Sequence, residues 1–229
     1  AHFSIGVAEI NGWRKSMEDC HVAVCDGDRG MFVICDGHSG KTCAKTICEN
    51  MQKSSSTIMR KASEIGYGDY LINMFLEIDA AFLDHRNPFD ESGSTCIFAC
   101  VSKSALNEHE YLIVLANLGD TCAMIGSLAR ECIVLTEDHL PSNPGEHKRI
   151  EAAGFTVEYE SLVPRVNGLL AVSRSFGDAP YKTTQNELTH AVIALPDIFT
   201  YELKVGEFLV LCCDGILESL AAQEIITII

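Results

Sequence analysis

The chain has 229 residues, 47% hydrophobic and 21% charged, the balance of a globular protein and not of a disordered one. Seventeen Lys and Arg against 32 Asp and Glu leave a formal net charge of −15, so the surface lacks the positive potential that a non-specific grip on nucleic acid or anionic lipid needs. Phosphate chemistry is not excluded, because bound cations invert the local field of a carboxylate cluster.

In chain order, short strands are expected at Ala8–Ile10 and Cys20–Cys25, then a turn at Asp26-Gly27 leading into the strand Met31–Cys35. A helix is predicted over roughly Lys41–Lys61, with Cys43, Ile47 and Met51 on one face. A second helix is predicted from about Asp69 to His85, where Leu71, Met74, Phe75, Ile78 and Phe82 form an apolar stripe. The pattern then shifts to strands at Thr95–Val101, Tyr111–Ala116, Cys122–Ile125 and Cys132–Leu135. A short helix follows, with Asn143 as its cap, Pro144 at its first position and Gly154 just past its end. Strands return at Phe155–Tyr159, Leu169–Val172 and Phe208–Cys213, and a helix starts near Leu217. No repeat or Pro/Gly/Ser linker divides the sequence, so residues 1–229 are read as a single domain of antiparallel sheets covered by helices. No apolar run approaches the ~18 residues of a membrane span. The eleven cysteines contain no C-x-x-C pair and sit mostly in apolar runs, where a free thiol acts as a small hydrophobe. A reducing setting, cytoplasmic and also nuclear, is expected.

Three of the most apolar strands run directly toward Asp: Asp36 after Met31–Cys35, Asp120 after Tyr111–Ala116, and Asp214 after Phe208–Cys213. A carboxylate at the end of a buried strand is partly desolvated and costly to ionise alone, so it is usually paired or bound to metal. Asp26-Gly27, flanked by polar residues, is read as a plain turn. A further acidic pair, Glu18-Asp19, follows four residues after Arg14. Carboxylates without His or Cys partners select hard cations, Mg²⁺ or Mn²⁺ before Ca²⁺.

Arg14-Lys15-Ser16-Met17-Glu18-Asp19 followed by Asp36-Gly37-His38-Ser39-Gly40 resembles the metal-dependent protein phosphatase family, the PPM or type 2C Ser/Thr phosphatases. The resemblance continues through Ser92-Gly93-Ser94-Thr95, Ala116-Asn117-Leu118-Gly119-Asp120 and Leu135-Thr136-Glu137-Asp138-His139. It is strongest from Arg165 to Asp178 and ends with Pro196-Asp197 and Cys213-Asp214-Gly215. It implies an α+β fold, a four-layer α/β/β/α sandwich of two antiparallel sheets with a binuclear metal site at one edge. It implies that Asp36 bridges two Mg²⁺ or Mn²⁺ ions, that Glu18 and the Gly37 carbonyl each take one, and that Asp214 binds the other. Asp19 would act through water, and Asp120 with Asp214 would hold a weaker third ion. The implied reaction is hydrolysis of phosphoserine and phosphothreonine by a metal-activated water, without a phosphoenzyme. Arg14 would clamp the phosphate, because its planar fork holds two oxygens at once. His38 would be the general acid for the departing alkoxide.

His139 and His147 are read as structural, Arg165 and Arg174 as partners in fold-stabilising pairs, and Asp178 as a structural turn residue. Residues 178–189 are expected to form a substrate-side flap. The expected partners are phosphoprotein substrates, acting on a monomer. The family usually adds a metal-binding Asp in a later Asp-Asn motif, which does not occur before Ile229; its absence would weaken one metal. Leu217-Glu218 and Thr121-Cys122 also depart from the family pattern. The competing reading is therefore a pseudophosphatase whose fold serves as a protein-binding scaffold.

Overall fold

Residues Cys96, Phe98 and Cys100 of one strand pack into one hydrophobic cluster, while the intervening Ile97, Ala99 and Val101 pack into another. The neighbouring strand repeats the division, with Val114, Ala116 and Leu118 on the first side and Ile113 and Leu115 on the second. Successive side chains of a strand point to opposite faces, so a sheet buried on both sides follows from these runs. The structure, a computed structural model, describes residues 3–62, 64, 67–104, 110–127, 131–159 and 163–229.

Strands β1 (Cys20–Asp26) and β2 (Arg29–Cys35) form a hairpin, with Asp26 opposite Arg29. Its two-residue loop takes a positive φ at Gly27 (φ +60) and not at Asp28, the preference of a type II′ turn. Strand β3 (Gly37–His38) follows at once, then helices α1 (Thr42–Lys53), α2 (Ser55–Lys61) and α3 (Tyr67–His85). Next come β4 (Gly93–Ser94), β5 (Cys96–Lys103), β6 (Tyr111–Leu118), β7 (Cys122–Ser127) and β8 (Ile133–Val134). Helix α4 (Pro144–Ala152) precedes β9 (Val157–Glu158), β10 (Arg165–Val166) and β11 (Phe176–Gly177). The described chain closes with β12 (Asp197–Leu203), β13 (Glu207–Cys212), α5 (Asp214–Leu217) and α6 (Ala222–Ile228).

The main sheet has the order β1-β2-β5-β6-β12 and a second sheet the order β13-β7-β8, all pairs antiparallel. Helices α1 and α3 bury Cys43, Ile47, Met51, Leu71, Phe75 and Phe82 against one face of the main sheet. Its other face meets Ala123, Ile125, Leu209 and Leu211 of the second sheet. Behind that sheet, Cys122, Met124 and Cys212 pack on Ile225 and Ile226 of α6. The order helix, sheet, sheet, helix is the expected four-layer sandwich. Truncating a fully buried ring such as Phe98 to Ala is expected to cost about 3–5 kcal/mol.

Several local expectations are corrected. Ala8–Ile10 forms no strand; residues 4–16 are exposed and no described strand pairs with them. The single helix predicted over Lys41–Lys61 breaks at Ser54, within Ser54-Ser55-Ser56, where hydroxyls compete for backbone groups. Leu169–Val172 is a turn with one isolated bridge, Leu170 to Val166, and Phe155–Tyr159 contributes only Val157–Glu158. Helix α4 starts at Pro144 as predicted, yet Asn143 does not cap it with its side chain; its Nδ2 donates instead to the Asp138 carbonyl at 2.8 Å. Among the described residues, no helix is long and apolar enough to cross a membrane.

Candidate metal centre

The chain leaving strands β2, β6 and β13 delivers Asp36, Asp120 and Asp214 to one region, close enough for their charges to bear on one another. Asp36, Cys213 and Asp214 offer ligand atoms that all lie within 4.8 Å of one another. Asp19, just before β1, joins them: the Cys213 thiol lies 3.8 Å from Asp19 Oδ2, and the Asp19 charge bears directly on Asp36. The main chain holds Asp36 firmly. Its carbonyl accepts from the Thr95 N–H at 3.0 Å and from the Ser94 hydroxyl at 3.2 Å, which gives the Ser92–Thr95 motif a structural task. Gly37 is required because a Cβ there would overlap the Glu18 carbonyl oxygen. That close approach brings the half-buried Glu18 against Asp36-Gly37; one Glu18 carboxylate oxygen accepts from Ser16 Oγ at 3.1 Å.

Burial and mutual repulsion dominate the electrostatics. Desolvation, followed by the charges of Asp19 and Asp214, pushes Asp36 up to about 8. Asp120 rises to about 6 through burial and then Asp214. Asp19 and Asp138 are also raised, in both cases chiefly by burial. Burial pushes the Cys213 thiol up to about 12. Among the described residues, no Lys or Arg stands among the largest influences on Asp19, Asp36 or Asp120. Carboxylates held this close without a cationic side chain need either protons or external cations. Oxygen donors in this number fit hard divalent ions, with Cys213 as a single softer donor at the edge.

His38 stands beside these groups. It sits in a three-stranded sheet of order β11-β4-β3, where Gly93 of β4 lies opposite both His38 and Gly177. Across Gly93, His38 Nε2 meets Asp178 Oδ2 at 2.8 Å. Burial draws the His38 pKa down, but the bond to Asp178 and its charge, with Asp120 and Glu18 behind them, raise it overall. Asp178 is therefore more than the turn residue expected: it is 3% exposed and bound to the candidate acid.

A second acidic group lies nearby and is fully paired. Glu146 of α4 meets Arg149 at 2.8 Å and Arg174 at 2.9 Å, and accepts from the Ser173 hydroxyl at 2.6 Å. Arg174 also reaches Asp197 at 2.9 Å. His139 Nδ1 accepts the Gly119 N–H at 3.0 Å, which puts the ring proton on Nε2. That atom is 3.2 Å from Asp197 Oδ2 but off the line of a hydrogen bond. His139 first and Arg174 after it hold Asp197 down to about 2. Arg174 and His139 thus take the structural parts expected of them. Arg165 binds only the Leu169 carbonyl, at 2.6 Å, among described residues.

Arg14, expected as the phosphate clamp, is exposed, and its side chain makes no ion pair with a described carboxylate. Residues 178–189 are tied down at their start, not free as a flap: Lys182 Nζ donates to Asp79 at 2.6 Å, and Tyr181 packs on Phe155. Asp138, Asp178 and Cys213 are site residues that periodicity did not reveal. The one available signal was their adjacency to His139, Gly177 and Asp214 in motifs already noted.

The sequence model of the family described as Protein phosphatase 2C matches residues 3–229. Protein phosphatase 1B of Mus musculus is 34% identical over 244 residues, covering 96% of this chain and 59% of the relative. Protein phosphatase 2C homolog 3 of Schizosaccharomyces pombe is 35% identical, covering 96% and 53%. The chain thus spans about half to three-fifths of the length of these relatives. Among solved structures, a phosphatase from a pathogenic strain of Toxoplasma gondii superposes with a TM-score of 0.80 at 25% identity, covering 93% of this chain and 76% of that one. With its sandwich, its converging carboxylates and a match over nearly every residue, the chain belongs to the protein phosphatase 2C family, whose members are metal-dependent.

Proposed function

We propose that this chain forms the catalytic region of a metal-dependent protein phosphatase that hydrolyses phosphoserine and phosphothreonine in protein substrates. The observation that carries the reading is the convergence of Asp19, Asp36, Asp120 and Asp214, none of which is ion-paired to a Lys or Arg among the described residues. Glu18, Asp36, Asp214 and the Gly37 carbonyl would hold two Mg²⁺ or Mn²⁺ ions, with Asp19 acting through water and Asp120 with Asp214 taking a weaker third. Bound there, divalent cations lower the pKa of water and neutralise charge on phosphoryl oxygens. The chain's own residues do the rest. Arg14, exposed at the N-terminal side of Glu18-Asp19, is the group to grip phosphate; His38 supplies the proton to the departing Ser or Thr oxygen. The eleven free thiols support a reducing compartment, cytoplasmic or nuclear.

The test is Mn²⁺- and Mg²⁺-dependent release of phosphate from a phosphothreonine peptide by the full-length protein, beside its Asp36→Asn and His38→Ala variants. Activity that needs the cation and both side chains supports the reading. A full-length protein inert at millimolar Mn²⁺ would overturn it and favour the scaffold reading.

A further inference from the structure

We propose that Asp178 is the positioning residue of His38: it holds the imidazole by Nε2 and so assigns proton delivery to Nδ1. The inference rests on the phosphatase reading for its chemistry and on geometry for its substance.

An ionised carboxylate only accepts hydrogen bonds. Asp178 Oδ2, 2.8 Å from His38 Nε2, therefore requires the hydrogen to be on Nε2. Nδ1 has no partner among the described residues and is the nitrogen left for a substrate. In the transfer, the P–O bond breaks and its electron pair goes to the departing oxygen. That oxygen takes the Nδ1 proton, leaving a neutral ring with hydrogen on Nε2, and water then restores the Nδ1 proton.

The surroundings are built to keep Asp178 in place. The same Oδ2 accepts a short bond from the Ser175 hydroxyl, and the Asp178 N–H donates to the Ser92 carbonyl at 3.2 Å. Its backbone sits in the left-handed region at φ 52, which Asp tolerates better than most residues. The preceding Gly177 N–H donates to Asp79 at 2.8 Å, and Asp79 is in turn paired with the buried Lys182. Lys182 also donates to the Ser175 carbonyl at 3.0 Å. A buried ion pair from α3 thus clamps both sides of the Ser175–Asp178 turn. Gly93 leaves the gap: a Cβ there would overlap both Asp178 Oδ2 and His38 Nε2. A buried carboxylate held by the Ser175 hydroxyl in a turn that is itself bonded to Ser92, Asp79 and Lys182, and touching one ring nitrogen in the gap a glycine leaves, is an arrangement that orients a ring, as second groups orient ligating or catalytic histidines elsewhere.

The experiment uses full-length Asp178→Asn, which keeps the volume and the tolerance of positive φ, with two substrates. A phosphothreonine peptide releases an alkoxide that needs an acid; p-nitrophenyl phosphate releases a phenolate that does not. Asp178→Asn is expected to lower kcat on the peptide by about 10- to 100-fold more than on the nitrophenyl ester, a partial loss of the roughly 10²–10⁴-fold that general acid catalysis supplies. It is also expected to add no further loss in a His38→Ala background. Equal losses on both substrates, or additive losses, would overturn the proposal. A second reading is independent of turnover: ¹⁵N NMR of the His38 ring should show hydrogen on Nε2 in the wild type and a tautomer mixture in Asp178→Asn. An unchanged ring spectrum overturns the proposal. A wild type inactive on both substrates overturns the phosphatase reading instead, and the ring spectrum then decides the positioning of His38 by itself.

Discussion

Two groups of carboxylates, one around Glu146 and Asp197 and one around Asp36, sit in the same molecule with opposite electrostatics. In the first, Arg149, Arg174 and His139 stand against the acids; Asp197 falls to about 2, and Glu146, despite its burial, is lowered by the two arginines. In the second, burial and like charges raise Asp36 to about 8 and Asp120 to about 6. Both are dense in negative charge, so composition does not separate them. The difference is the source of the counter-charge. Where the chain supplies it, the acids join α4 to residues 173–174 and to the start of β12 and serve the fold. Where it does not, protons or an external cation have to offset the charge, and this is what points to the second group as the proposed cation site.

The strongest attack on that contrast is Asp36→Asn. Losing several kcal/mol of cation-borne charge stabilisation is expected to lower phosphopeptide turnover by about 10³-fold or more. The same variant should abolish the Mn²⁺-induced rise in Tm, read by thermal denaturation, while the metal-free protein becomes no less stable. If metal-free Asp36→Asn is clearly destabilised, Asp36 has a counter-charge after all.

Next in size is Arg174→Met, which strips a cation from the paired group. Leaving Glu146 and Asp197 without it is expected to cost about 3 kcal/mol in urea denaturation, with Mn²⁺ affinity by calorimetry little altered. A large change in affinity with unchanged stability would reverse the parts given to the two groups.

A pH series sharpens the comparison further. The folded pKa of Asp36, about 8, lies above its ordinary 3.8. Between those values the folded state binds the extra proton, so this group's contribution to the metal-free protein is lost as pH rises through the window. A cation takes the place of that proton. Mn²⁺ should therefore raise Tm more near pH 8 than near pH 6, and its binding should release protons. Asp197 acts with the opposite sign: its stabilising contribution is present above 3.8 and is lost as pH falls toward about 2. A Mn²⁺ effect that grows toward acid would break the assignment.

The smallest expected effect belongs to Asp26→Asn. Asp26-Gly27 repeats the dipeptide of Asp36-Gly37, yet it lies exposed at the β1–β2 turn. The substitution should move stability by no more than about 0.5 kcal/mol and leave metal affinity unchanged.

Much of this was readable beforehand, for stated reasons. The doubly buried β5 and β6 follow from uninterrupted apolar runs, α3 from its stripe, and the Asp36 and Asp214 placements from carboxylates that end such runs. The failures also have causes. Ala8–Ile10 alternates like a strand, but a strand exists only with a partner. The break at Ser54 pits weak local preferences against an apolar face that continues through Ile58. Strand β12 went unassigned because its residues are only partly buried and alternate weakly.

That Asp36, Asp120 and Asp214 follow apolar strands, and hence the expectation of a cation site within a −15 chain, is decided by the sequence itself, because burial of those strands leaves the carboxylates at their ends desolvated wherever they lie. Which acids remain without a counter-charge, and that Asp178 rests on His38 across 140 positions of chain, were decided only by the tertiary structure. Ion pairs and ring orientation depend on distances of a few ångströms between distant segments, and no local pattern of residues encodes those distances.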